Sequence, residues 1–95
     1  MSETRKPENK PATWQIYMVR CSDNTLYTGI TVNLAKRLAE HNSESKGAKY
    51  TRARRPVELV YSEPALSRSE ATKREMHIKK MTLARKMELI AEKNL

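Results

Sequence analysis

Trp14-Gln-Ile-Tyr-Met-Val-Arg-Cys21, Ser22-Asp-Asn-Thr25 and Leu26-Tyr-Thr-Gly-Ile-Thr-Val32 decide the fold. The outer two stretches are rich in β-branched and aromatic residues, which suit a pleated, half-buried surface, and both read as strands. The four residues between them supply turn chemistry, because Asp23 and Asn24 tolerate the left-handed conformation of a tight reversal. The unit is therefore predicted to be a β-hairpin. Gly29 lies inside the second strand, where a glycine weakens pairing and marks a bulge or a close backbone approach. Tyr17 and Tyr27 flank the turn, so the hairpin brings them to the same end of the sheet.

Downstream of the hairpin, Asn33 is a good N-cap, and Leu34 and Leu38 have helical spacing in the segment that ends at His41. Residues 42–56 are polar, basic and turn-rich, and read as a long surface loop. After Pro56, Val57, Leu59 and Tyr61 alternate with Glu58 and Val60, the pattern of a third strand. Ser67-Arg-Ser-Glu70 fits a capping box, so a second helix is predicted from there to about Met81. Thr82 can cap a last helix with Leu83, Met87 and Ile90 along one side. The order β-β-α-β-α-α describes an α+β domain, a small and largely antiparallel three-stranded sheet covered by helices. That domain is expected over residues 14–95. Residues 1–13 carry both signs of charge, two prolines and no apolar run, so a disordered leader is expected there and not a signal peptide.

A chain of 95 residues with 38% hydrophobic residues can bury one core and no more. Its net charge of +8 is unevenly spread. Residues 33–56 carry Lys36, Arg37, Lys46, Lys49, Arg52, Arg54 and Arg55 against Glu40 and Glu44, and residues 67–95 carry eight basic residues against four Glu. Such an excess suits a polyanion, because Lys and Arg contacts to phosphates release counterions, although basic character also serves solubility alone. The single Cys21 excludes an intramolecular disulfide, and no Cys/His cluster resembles a zinc site. A reducing, cytoplasmic setting is expected, with no membrane association, since no apolar stretch approaches the roughly 18–20 residues of a span.

On a helical wheel, Leu34 and Leu38 define a buried stripe with Arg37 and His41 at its edge. His41 taken alone reads as a solvated helix residue. On the second helix, Ala71, Ile78 and Met81 mark the inward side, and Glu75 falls among them. A carboxylate there is costly to desolvate without compensation. Its partner is either a metal ion or a basic side chain such as Arg37. Glu70 already has a structural task in the capping box. Tyr17 and Tyr27, taken singly, read as packed aromatics, and Met76, Met81 and Met87 as gap-fillers.

Taken together, these residues resemble the GIY-YIG nuclease superfamily. Its two signature triplets correspond to Gln15-Ile16-Tyr17 and Tyr27-Thr28-Gly29, with Gln15 in place of the first glycine. The superfamily's helical arginine and the histidine four residues later match Arg37 and His41. Its acidic helix matches Glu70-Ala-Thr-Lys-Arg-Glu75-Met-His-Ile78-Lys79. The small, single-domain bacterial branch is similar down to Ala48-Lys-Tyr-Thr-Arg-Ala-Arg-Arg-Pro56. The resemblance implies a metal-dependent endonuclease that hydrolyses the phosphodiester backbone of nucleic acid, with DNA expected ahead of RNA. Tyr17, Tyr27, Arg37, His41 and Glu75 would form the site, and Glu75 would hold a single Mg²⁺ or Mn²⁺. Lys49, Arg52, Arg54 and Arg55 are expected to bind nucleic acid. The alternative reading is a basic nucleic-acid-binding module whose site is vestigial.

Overall fold

The computed structural model describes residues 13–93; the expected leader lies almost wholly outside them. Strand β1 (Trp14–Arg20) and strand β2 (Leu26–Thr31) form the expected hairpin, with Asn24 taking the turn's left-handed conformation at φ 69°. Helix α1 (Leu34–His41) starts where Asn33 accepts the Lys36 N–H at 3.0 Å. Strand β3 (Glu58–Ala65) pairs with the other edge of β1, so the antiparallel sheet runs β2-β1-β3. Helices α3 (Arg68–Lys79) and α4 (Leu83–Lys93) complete the chain. The stretch read as a loop contains one addition, a single helical turn α2 (Lys49–Arg52). Among the described residues, no helix is long and apolar enough to cross a membrane.

The central position of β1 explains its uninterrupted buried run Ile16-Tyr-Met-Val19: each of its faces is covered. Ile16 and Met18 pack with Tyr61, Ala71, Ile78, Leu89 and Ile90. Tyr17, Val19 and Cys21 point the other way and pack with Val57, Leu34, Leu38 and Tyr27. A bulge separates two halves of β3, since Met18 pairs with Tyr61 but Val19 pairs with Leu59. The extra residue, Val60, reverses the side-chain alternation. Val57 and Tyr61, expected on one face, therefore lie in opposite cores, and Leu59 is left exposed.

Two helix expectations need correction. Ser67 Oγ caps α3 by accepting the Glu70 N–H at 3.1 Å, but the Glu70 carboxylate lies 3.9 Å from Lys73 Nζ and does not return a bond to Ser67. In α4, Ile90 of the expected side is buried, but Leu83 and Met87 are exposed, and Leu89 is buried in their place. It is the second half of α4 that reaches the core, so the register of burial follows that docking and not the i, i+4 spacing.

Candidate active site

Tyr17 and Tyr27 share a face of the hairpin, because Tyr17 pairs with Gly29 and Val19 with Tyr27. The end of the Tyr17 ring lies against Gly29: a Cβ built on that glycine would sit 2.6 Å from the phenol oxygen. Gly29 is thus the close approach and not a bulge. Its bare backbone lets the Tyr17 hydroxyl reach His41 Nε2 at 2.7 Å. Tyr27 meets the same imidazole edge-on, with ring centroids 5.2 Å apart.

His41 is fully buried, which overturns its reading as a solvated helix residue. It closes α1 over the sheet, and its other nitrogen, Nδ1, lies 2.9 Å from Thr51 Oγ1 on α2. Burial lowers the pKa of His41, and the nearby Arg37 guanidinium adds to the effect, against Glu40. Burial pushes the Tyr17 hydroxyl up to about 12, opposed by Arg37. At neutral pH the pair is therefore a protonated phenol facing a neutral imidazole. Because the folded protein disfavours protonated His41, it binds fewer protons than the unfolded chain below about pH 6.5. This part of the stability is complete above that pH and is lost as the pH falls. Urea unfolding at pH 7.5 and pH 5.5 should show a smaller pH-dependent loss for His41→Gln than for the parent protein.

Arg37 and Glu75 are not partners. Arg37 Nη1 lies 3.0 Å from Glu40 Oε1 and 3.3 Å from the Lys46 carbonyl. Glu75 Oε2 lies 3.2 Å from Lys79 Nζ, one helical turn along α3. Both groups are close enough to Tyr17 to act on its ionisation. The Glu75 side chain is 18% exposed, so it is held at the edge of the site yet open to it. Among the described residues there is no group of three or more His, Cys, Asp or Glu that could hold a metal. One half-buried carboxylate nevertheless suits a hard divalent cation, which keeps several waters and completes its shell with substrate phosphate.

The basic segment divides. Arg54 is engaged: its guanidinium bonds Asp23 at 3.0 Å and the Tyr50 carbonyl at 2.8 Å, and lies 4.0 Å over the Tyr50 ring. Lys49 and Arg52 are exposed and make no ion pair among the described residues, while Arg55 Nε donates to the Arg52 carbonyl. Arg52 and Arg55 line a shallow groove with Asn42 and Pro56. Sequence reasoning missed Thr51 and Glu40, which hold His41 and Arg37. Thr51 carried no signal, since a polar residue in a turn-rich stretch gives no sign of burial.

Comparison with known proteins identifies the family. The family described as the GIY-YIG catalytic domain matches residues 13–88. A UPF0213 protein of Desulfotalea psychrophila is 53% identical over 90 residues, covering 95% of this chain and 82% of that one. A UPF0213 protein of Syntrophus aciditrophicus is 57% identical over 77 residues, covering 81% and 88%. The solution NMR structure of a UPF0213 protein from Bacillus halodurans superimposes with a TM-score of 0.56 at 34% identity, covering 85% of each chain. The family implies nuclease activity on nucleic acid and the use of divalent metal ions. With the catalytic-domain match spanning its whole sheet and site, this chain belongs to the GIY-YIG family.

Proposed function

We propose that the protein is a divalent-metal-dependent endonuclease that hydrolyses phosphodiester bonds, with DNA ahead of RNA as substrate. The observation that carries the reading is the buried 2.7 Å contact between Tyr17 Oη and His41 Nε2, with Arg37 and Glu75 beside it. A phenol and an imidazole in that relation can move a proton. Full ionisation of Tyr17 by His41 is too costly to be a separate step. Burial strengthens the phenol's hold on its proton and weakens the imidazole's, so transfer between them is uphill. A concerted relay avoids that cost: Tyr17 takes the proton of the attacking water as it passes its own to His41.

Arg37 is suited to hold a non-bridging phosphate oxygen by charge-assisted hydrogen bonds, and Glu40 keeps its guanidinium in place. Tyr27 packs against His41 and helps exclude water from the relay. Glu75 would hold Mg²⁺ or Mn²⁺, which supplies positive charge for the scissile phosphate and the leaving oxygen. Incubating the purified protein with single-stranded DNA, duplex DNA and RNA, with and without each ion, tests the proposal. Ion-dependent cleavage supports it. Binding without cleavage under every condition would favour the alternative of a binding module with a vestigial site. A buried, unpaired Cys21 is compatible with a reducing compartment such as the cytoplasm.

Lys49, Arg52 and Arg55 are proposed to set affinity, with Arg54 contributing mainly by fastening its segment. Neutralising those three together should reduce the slope of log affinity against log salt by up to about 3, since each phosphate contact contributes about 0.9. Arg54→Gln should instead lower stability and change the slope little. An unchanged slope in the triple variant would remove this surface from the binding site.

A further inference from the structure

Thr51 is fully buried, and its hydroxyl touches both His41 Nδ1 at 2.9 Å and the Ala48 carbonyl at 3.1 Å. A hydroxyl has one proton to give. The direction of the whole chain of bonds follows from its two ends. At one end the Ala48 carbonyl can only accept. At the other, the Tyr17 phenol is a buried donor whose hydrogen-bond acceptor among the described residues is His41 Nε2; Arg37 beside it has only donors to offer, and Glu75 and Tyr27, near enough to act on its ionisation, make no hydrogen bond to it. A buried donor without a partner is costly. The bonds therefore run one way: Tyr17 O–H to Nε2, Nδ1–H to Thr51 Oγ1, and Thr51 O–H to Ala48. The reverse order leaves the Tyr17 proton with no acceptor.

We infer that Thr51 is a positioning residue, which by accepting from Nδ1 holds His41 in the tautomer whose Nε2 lone pair faces Tyr17. The short helix around Thr51 is fastened to the hairpin that carries both tyrosines. Tyr50 stacks on Tyr27 with ring centroids 6.0 Å apart, Arg54 reaches Asp23, and the Arg54 carbonyl accepts the Ser22 N–H at 2.9 Å. On the other side, Gly47 passes so close to α1 that a Cβ would lie 2.9 Å from His41 Cα. The segment thus grips both the strand pair and the helix end. What it places between them is a single hydroxyl under the imidazole.

The importance of this tautomer for cleavage rests on the nuclease reading, but the tautomer can be measured without any turnover. In the full-length protein labelled with ¹⁵N-histidine, the ring nitrogens report which one carries the proton at pH 8, with exposed His77 as an internal reference. The expected parent spectrum has a protonated Nδ1 and a bare Nε2 for His41. Thr51→Val keeps the branched shape but removes the acceptor, and should give a tautomer mixture. Its kcat should fall by about 10–100-fold, the usual loss when an orienting partner is removed, with KM little changed. Thr51→Ser should restore both the spectrum and the rate. Should the valine variant fail to fold, Thr51→Ala removes the same hydroxyl without a branched replacement. A proton on Nε2 in the parent, or an unshifted Nδ1–H in the hydroxyl-free variants, overturns the inference. A parent protein that cleaves nothing would sink the nuclease reading alone, leaving the ring nitrogens to decide the role of Thr51.

Discussion

Glu75→Gln should leave a folded protein that binds nucleic acid but has lost metal-supported cleavage by about 10²–10³-fold or more, the scale of removing one preorganised charge-stabilising contact. The amide keeps the volume of the carboxylate and removes the negative charge a divalent ion needs. Stability should hardly change. The only cation within ion-pair distance of Glu75 among the described residues is Lys79, half exposed, and such an i, i+4 pair is worth about 0.5 kcal/mol or less. Had Glu75 been the buried partner of Arg37, the same change would have cost about 3–5 kcal/mol. Nucleic-acid affinity should hold or rise slightly, as repulsion from the phosphates falls. Glu70→Gln is the matched control. Glu70 is exposed, and its backbone N–H keeps the bond to Ser67, so cleavage should persist with a stability cost of at most about 1 kcal/mol. Urea unfolding, nucleic-acid affinity and Mg²⁺-dependent cleavage on one preparation of each variant decide between the two carboxylates. Parental cleavage by a folded Glu75→Gln protein would remove Glu75 from the site.

Gly29→Ala is expected to be nearly as damaging to cleavage as Tyr17→Phe, although an alanine takes no part in any chemistry. The new methyl would lie 2.6 Å from Tyr17 Oη and 2.8 Å from the ring carbon bearing it. Tyr17 is 2% exposed, so its ring cannot step aside without disturbing Val19, Val57 or His41. The phenol should be forced away from Nε2, removing a proton-transfer contribution of about 10²–10⁴-fold. Overpacking should add a stability loss of about 1–3 kcal/mol. Tyr17→Phe removes the hydroxyl outright and should cost cleavage by a similar factor. The double variant is the informative one. Phenylalanine lacks the oxygen that meets the methyl first, so Gly29→Ala should destabilise the Tyr17→Phe protein less than the parent and reduce its cleavage no further. Independent, additive losses in stability and rate would show that Gly29 does not act through Tyr17.

Local chemistry carries much of this fold in plain view. The hairpin was legible because strand propensity and an Asp-Asn turn are properties of neighbouring residues. The cap at Asn33, the start of α3 at Ser67 and the four-residue spacing of Arg37 and His41 are equally local. Glu75 stood out for the same reason, as a charge on the apolar side of one helix. Helical and strand periods show which way a side chain faces, but they do not name the group it will meet. Arg37 could therefore be set aside as the partner of Glu75 only once the fold paired Arg37 with Glu40 and Glu75 with Lys79.

The bulge at Val60 shows the limit in another form. One extra residue reverses the parity of β3, and nothing in a run of alternating residues announces where the pairing strand will skip. Arg54 gave no sign in the sequence of its ion pair with Asp23, 31 residues away. Thr51 is the extreme case. A threonine in a polar, glycine-containing stretch is ordinary by composition, and it gained a role only when α2 folded beneath His41. Composition and spacing determined the three strands and the three longer helices, because those depend on contacts within a few residues, while the candidate site was nominated by the resemblance of its motifs. The partners of Tyr17, His41 and Arg54 came instead from contacts across 10 or more residues, Tyr17 with His41, His41 with Thr51 and Arg54 with Asp23, which exist only once the chain has closed on itself.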